Sequence, residues 1–147
     1  MILYIPFTSK GGKTDWTPSG RIYSLDGSTW KDIGTLKTER RLHACVVKGK
    51  YLYIAGGMKA GGKKLSSTEI MDMETRELLS GPPLPWATSS PQAFVYNGTI
   101  YMVARNGKWG KLEKDGNVWI NFSNNKYNSK TRQVFPSQII GNKIINK

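Results

Sequence analysis

Short apolar runs of four to six residues recur along the chain, separated by Gly, Asn, Lys and Pro punctuation. The clearest block begins with Ala44-Cys45-Val46-Val47, turns at Lys48-Gly49-Lys50, and returns through Tyr51-Leu52-Tyr53-Ile54-Ala55 to end at Gly56-Gly57. Two apolar runs flanking a short Gly-containing turn predict a β-hairpin. A polar loop rich in Gly and Lys follows, then Ser67 to Asp72, a turn at Met73 to Thr75, and Arg76 to Leu79 before Gly81-Pro82-Pro83-Leu84-Pro85. The pattern predicts four short antiparallel strands in one unit.

That unit recurs. Displacing the sequence by 48 positions places Leu36 on Leu84, Val46 on Phe94, Val47 on Val95, Leu52 on Ile100 and Tyr53 on Tyr101, and also joins Ser24 to Asp72 and Trp30 to Leu78. A period in this range signals stacked supersecondary repeats. The next unit then reads as Gln92 to Tyr96, an Asn97-Gly98 turn, Thr99 to Ala104, Gly110 to Glu113, a turn at Lys114 to Asn117, and Val118 to Phe122. A further unit begins near Arg132, where Ile139 to Ile145 aligns with Val95 to Tyr101. At the front, Ile2-Leu3-Tyr4-Ile5 aligns with Tyr51 to Ile54. We divide residues 1–147, a single repeat region, into approximate units 1–40, 41–88, 89–131 and a partial unit 132–147.

Ala44 to Leu84 resembles a kelch repeat: an apolar strand, a turn, Leu52-Tyr53-Ile54, the double glycine Gly56-Gly57, an Asp72-x-x-Thr75 turn and Leu84-Pro85. The resemblance implies an all-β fold, a kelch-type β-propeller of the galactose oxidase-like superfamily, here about three blades of four-stranded antiparallel sheet and an incomplete ring. Propellers have typically four to eight blades, each covered by its neighbours, so further blades or another chain are expected to complete it. The units are degenerate. Phe7-Thr8 and Ala104-Arg105 stand where the second unit has Gly56-Gly57, and Leu78 stands where the family usually has Trp. Trp30 and Trp119, in the family's aromatic positions, are expected to pack between blades, and Gly56-Gly57 to let backbone turn or approach where a side chain would collide.

Charge changes the functional picture more than the fold. Lys and Arg exceed Asp and Glu by 22 to 10, a formal charge of +12, which attracts acidic partners. The basic residues are dispersed rather than gathered into an arm, which disfavours nucleic acid as the partner. One cysteine, Cys45, excludes an intramolecular disulfide, and Cys45 with the single histidine, His43, falls short of a structural zinc site. No run approaches the roughly 18 apolar residues of a spanning helix. Met1 to Phe7 is short for a secretory signal, so the reading is cytoplasmic, or secreted if a signal precedes this sequence.

Catalytic constellations are missing from the pattern. The copper chemistry of galactose oxidase needs two histidines. His43 lies two residues from Cys45 without an orienting acid. Asp15, Asp26, Asp32 and Asp115 could supply carboxylates for glycoside cleavage, but nothing pairs them. Gly61-Gly62-Lys63-Lys64 lacks the spacing of a phosphate-cradling loop. The expectation is no enzyme, no catalytic or metal residues and no cofactor.

What remains is a binding surface on the connections that gather at one end of a propeller. The candidates are Arg40 and Arg41 entering the second unit, Lys59, Lys63 and Lys64 in its middle loop, and Trp86 and Arg105 in the third. Arg and Trp favour energetic centres of interfaces, and a guanidinium fork suits carboxylates. The expected role is recognition of an acidic protein or peptide, as a substrate adaptor or a cytoskeletal binder. A carbohydrate-binding or carbohydrate-acting propeller of the secretory route is the alternative, suggested by Asn97-Gly98-Thr99 and Asn121-Phe122-Ser123. A truncated fragment without activity of its own is a third reading.

Overall fold

In the computed structural model of the chain, residues 2–4, 8–9, 16–113, 119–122, 137–140 and 143–146 are described. Asp15, Asp115, the turn expected at 114–117 and the unit start near Arg132 lie outside them. The regular elements of the described residues are strands, apart from one three-residue 3₁₀ turn at Ala60–Gly62. None of their helices is long and apolar enough to cross a membrane.

Two complete four-stranded antiparallel meanders anchor the fold. To number strands in chain order, the first unit contributes β1 (Ile2–Tyr4), β2 (Thr8–Ser9), β3 (Trp16–Thr17), β4 (Ser19–Asp26) and β5 (Thr29–Arg40). Of these, β1, β4 and β5 form one sheet in that order, and β2 and β3 a separate hairpin. The second sheet runs β6 (Ala44–Lys48), β7 (Tyr51–Ala55), β8 (Thr68–Asp72), β9 (Leu78–Gly81). The third runs β10 (Gln92–Tyr96), β11 (Thr99–Val103), β12 (Trp109–Leu112), β13 (Trp119–Phe122). A last hairpin pairs β14 (Ser137–Ile140) with β15 (Lys143–Asn146). These sheets are blades of a β-propeller.

The turns follow their sequences. Asn97 and Gly98 have φ of 48° and 75°, both positive as a type I′ hairpin turn requires. The register keeps the 48-residue offset: Val47 faces Leu52 across its hairpin as Val95 faces Ile100. β6 and β10, the first strands of successive sheets, lie against each other.

Because side chains alternate along a strand, each face of the second sheet builds a different core. Leu52, Ile54 and Met71 pack with Ile22, Ile33 and Leu36 of the first sheet. On the other side, Ala44, Ala55 and Leu84 pack with Ile100, Met102, Leu112 and Trp119. Trp119 is 5% exposed, and its indole N–H donates to the Pro82 carbonyl at 3.1 Å, so this ring packs between blades as expected. Trp30 does not: it is 47% exposed. It sits at the start of β5, just after the Gly27-Ser28 turn, where its ring lies beyond the inter-sheet core.

Arg40 is the largest departure from the sequence reading. Rather than facing a partner it is 0% exposed, and its guanidinium is committed within the fold. Nη2 bonds Glu69 Oε2 at 2.6 Å and Ser67 Oγ at 3.2 Å, while Nη1 bonds the carbonyls of Gly56 at 2.9 Å and Ser67 at 3.0 Å. Nε donates to the Thr38 carbonyl at 3.3 Å. Glu69 in turn accepts the Lys37 and Thr38 amides of β5 at 2.6 and 3.3 Å. A charge in a dry interior is stable only when paired and fully hydrogen-bonded, and these contacts meet that demand while tying β5 to β8.

Removing one partner strands the other charge, which costs about 3–5 kcal/mol. Arg40→Met and Glu69→Gln are therefore expected to lower the urea midpoint strongly, by an amount corresponding to at least about 2 kcal/mol. A loss below about 0.5 kcal/mol, the range of a neutral surface substitution, would refute the clamp.

Candidate interaction surface

Antiparallel alternation sends every second connection to the same end of the molecule. Residues 41–43, 56–67, 82–91 and 104–108 gather at one end; the turns at 27–28, 49–50, 73–75 and 97–98 lie at the other. The first group is sewn together through its backbone. Arg41 and Met58 exchange amide bonds at 2.9 and 2.8 Å, Leu65 N–H donates to Gly57 O at 2.9 Å, and Thr88 N–H to Leu65 O at 3.0 Å. Gly57 N–H reaches Thr88 O at 2.8 Å, and Ser90 N–H reaches Leu42 O at 2.7 Å.

Gly57 makes this weave possible. Its φ is +95°, and a Cβ there would sit 2.6 Å from the Arg41 carbonyl oxygen and 3.0 Å from the His43 Cβ. Only glycine tolerates both conditions, so the double glycine is scaffold, as its sequence context suggests.

The two ends differ in charge. The woven end carries Arg41, Lys59, Lys63, Lys64 and Arg105, together with Lys108, which the sequence reading overlooked; its four connections contain no Asp or Glu, Glu39 lying just before them on β5. At the opposite end cations meet carboxylates: Lys31 bonds Asp26 at 2.8 Å, and Lys50 reaches Asp72 at 3.1 Å and Glu74 at 3.6 Å. Lys50 hydrogen bonding, the Thr75 and Glu74 amides and the Lys50 charge hold the Asp72 carboxyl below its usual range, outweighing the desolvation that acts against them.

The sequence candidates therefore separate. Lys59, Lys63, Lys64 and Arg105 are exposed at the woven end. Arg41 is half-buried there, with Nη2 3.6 Å from Met58 Sδ and Nε buried without a partner. Trp86 is half-buried against the core cluster of Ala44, Leu84 and Ile100, and Arg40 lies inside. Lys64, Ala87, Thr88, Ser89, Arg105 and Asn106 line a pocket of ≈ 300 Å³. A larger pocket of ≈ 490 Å³ opens at the opposite end beside Asp26, Lys31 and Arg76, but there Asp26 and Lys31 are satisfied by each other.

Comparison with known proteins fits this geometry. Residues 39–84 match the Kelch motif, a span that includes Arg40, Gly56-Gly57, Glu69 and all four strands of the second sheet. The chain carries a kelch repeat. It is similar to a kelch domain-containing protein of Sulfurisphaera tokodaii, 24% identical over 85% of this chain and 18% of that protein. It is also similar to alpha-scruin of Limulus polyphemus, 26% identical over 68% of this chain and 11% of that protein. The chain thus spans less than a fifth of the length of either relative.

One titratable group is built into the woven end of this kelch unit. Burial, and then the Arg40 charge, lower the pKa of His43 from 6.5 to about 4, and its Nδ1 is buried without a hydrogen-bond partner. The imidazole is neutral at pH 7. No hydrogen bond to Cys45 is present among the described residues. Because the folded pKa is depressed, the unfolded chain takes up a proton that the folded chain refuses between pH 6.5 and about 4. Stability is therefore highest above pH 6.5 and falls across that window at up to about 1.4 kcal/mol per pH unit. Urea melts from pH 7.5 to 4 are expected to show this slope, and His43→Gln to flatten it; an identical slope in the variant would assign the loss to other groups.

Proposed function

We propose that this chain is a protein-interaction module whose woven end recognises an acidic segment of a partner protein. Kelch repeats generally serve as interaction modules. The observation that carries the acidic preference is the convergence of Arg41, Lys59, Lys63, Lys64, Arg105 and Lys108 on connections without a carboxylate. Such a field raises association rates and selects against basic partners. The rigid sheets hold these loops in place, so little ordering entropy is lost on binding.

The roles open to such a surface are those of a substrate adaptor or a cytoskeletal binder, within a longer propeller that supplies the remaining blades. A reducing, cytoplasmic setting suits the exposed thiol of Cys45. The carbohydrate reading draws less support, because Asn97-Gly98 has a sufficient structural role in its type I′ turn.

Fluorescence anisotropy with a labelled glutamate-rich peptide tests the proposal. Combined Lys59→Gln, Lys63→Gln and Arg105→Gln is expected to weaken binding at least tenfold, and Lys31→Gln with Lys50→Gln at the opposite end by less than twofold. Affinity should also fall steeply with salt. Equal losses at both ends would reduce the effect to net charge and sink the assignment of the surface. Tighter binding of a single-stranded oligonucleotide of matched charge would move the partner class to nucleic acid.

A further inference from the structure

The ≈ 300 Å³ pocket at the woven end lies where the repeat has changed. Applying the 48-residue offset, Thr88 stands in the place of Arg40, Ser89 in that of Arg41, Arg105 in that of Gly57 and Asn106 in that of Met58. In the second unit these positions close on one another: Arg41 and Met58 pair through their backbones, and Gly57 is pressed against Arg41 O. In the third unit the same positions line an open cavity, and a cation replaces the glycine.

The walls come from three connections and are held by backbone bonds. Lys64 bridges to Met58, and the neighbouring Leu65 to Thr88. The loop carrying Arg105 is closed by Ala104 N–H to Lys108 O at 2.7 Å and Gly107 N–H to Ala104 O at 2.9 Å. Asn106 Oδ1 accepts the Lys108 amide at 3.1 Å, which leaves its NH₂ to donate elsewhere. The pocket therefore offers the Lys64 ammonium, the Arg105 guanidinium, the Asn106 amide and the Ser89 hydroxyl, with no carboxylate among its described lining residues. Neither Lys64 nor Arg105 has an ion-pair partner among the described residues.

We propose that this pocket takes a phosphomonoester dianion, presented as a phosphorylated side chain of the acidic partner. The inference rests on the acidic-partner reading and specifies its centre. Two cations match a group of charge about −1.5 to −2 with three acceptor oxygens better than a single carboxylate, and the Arg105 fork suits paired phosphate oxygens. The size sits at about the lower limit of small-ligand pockets, roughly 300 Å³. Ala87 is the one apolar residue among the described lining, which offers no ring to stack a nucleotide base.

Isothermal titration of the full chain with an acidic phosphoserine peptide, its unphosphorylated counterpart and inorganic phosphate tests this. Phosphorylation is expected to tighten binding at least tenfold. Lys64→Met with Arg105→Met should reduce that increment to within twofold, whereas Lys59→Met with Lys63→Met should weaken both peptides alike. All four side chains are exposed, and unchanged urea midpoints would confirm intact folding. If the unphosphorylated peptide binds but phosphorylation adds nothing, or its increment survives in the Lys64/Arg105 variant, this inference fails and the acidic-partner reading stands. If neither peptide binds, both fail. Inorganic phosphate binding as tightly as the phosphopeptide would overturn the peptide source in favour of a free phosphorylated small molecule.

Discussion

The buried pair of Arg40 and Glu69 sets the conditions for the rest of the molecule. Desolvating two ions is expensive, and their attraction offsets that cost only with every remaining donor and acceptor satisfied. The chain satisfies them from several segments: the end of β5, the Gly56 carbonyl, Ser67, and β8 itself. The pair therefore does more than join two side chains. It fixes the end of the first sheet against the second and positions the connection from Gly56 onward, on which the exposed lysines ride.

The division of charge between the two ends is a consequence of the antiparallel meander. Connections of an antiparallel meander alternate between ends, so a sequence with dispersed lysines still concentrates them wherever alternate loops carry the same sign. The tight turns at the opposite end carry acidic residues that pair locally with Lys31 and Lys50. The four longer connections described at the woven end carry none. A basic patch thus arises from loops remote in sequence, without any basic run, and its field acts over a distance of roughly a Debye length, about 8–10 Å.

This explains what the sequence could and could not disclose. The strand order of the second and third sheets was legible because Gly-containing turns and alternating apolar residues report local geometry, and the position of Trp119 followed from the repeat. Arg40 was misread because an Arg-Arg pair at the mouth of a strand looks like surface until its partner is known, and Glu69 lies 29 residues away. Trp30 occupies a repeat position expected to be interior, yet it is 47% exposed, because the repeat pattern alone does not report which elements fold over a ring. The pocket was hidden for a related reason: Lys64 and Arg105 were both visible as cations, but Thr88, Ser89 and Asn106 join them only once three connections are folded together.

The repeat also shows how a rigid scaffold acquires a site. At one position the two units share both residue type and environment: Val47 and Val95, one offset apart, are 40% and 39% exposed. The hairpins β6–β7 and β10–β11 keep the same register, so between these two units a difference in sequence becomes a difference in surface. At the positions of Arg40 and Gly57 the third unit has Thr88 and Arg105. Losing the buried arginine removes the demand for a compensating carboxylate, and losing the glycine removes the close backbone approach. The charge that one unit spends inside the fold, holding two sheets together, the next unit turns outward into a cavity.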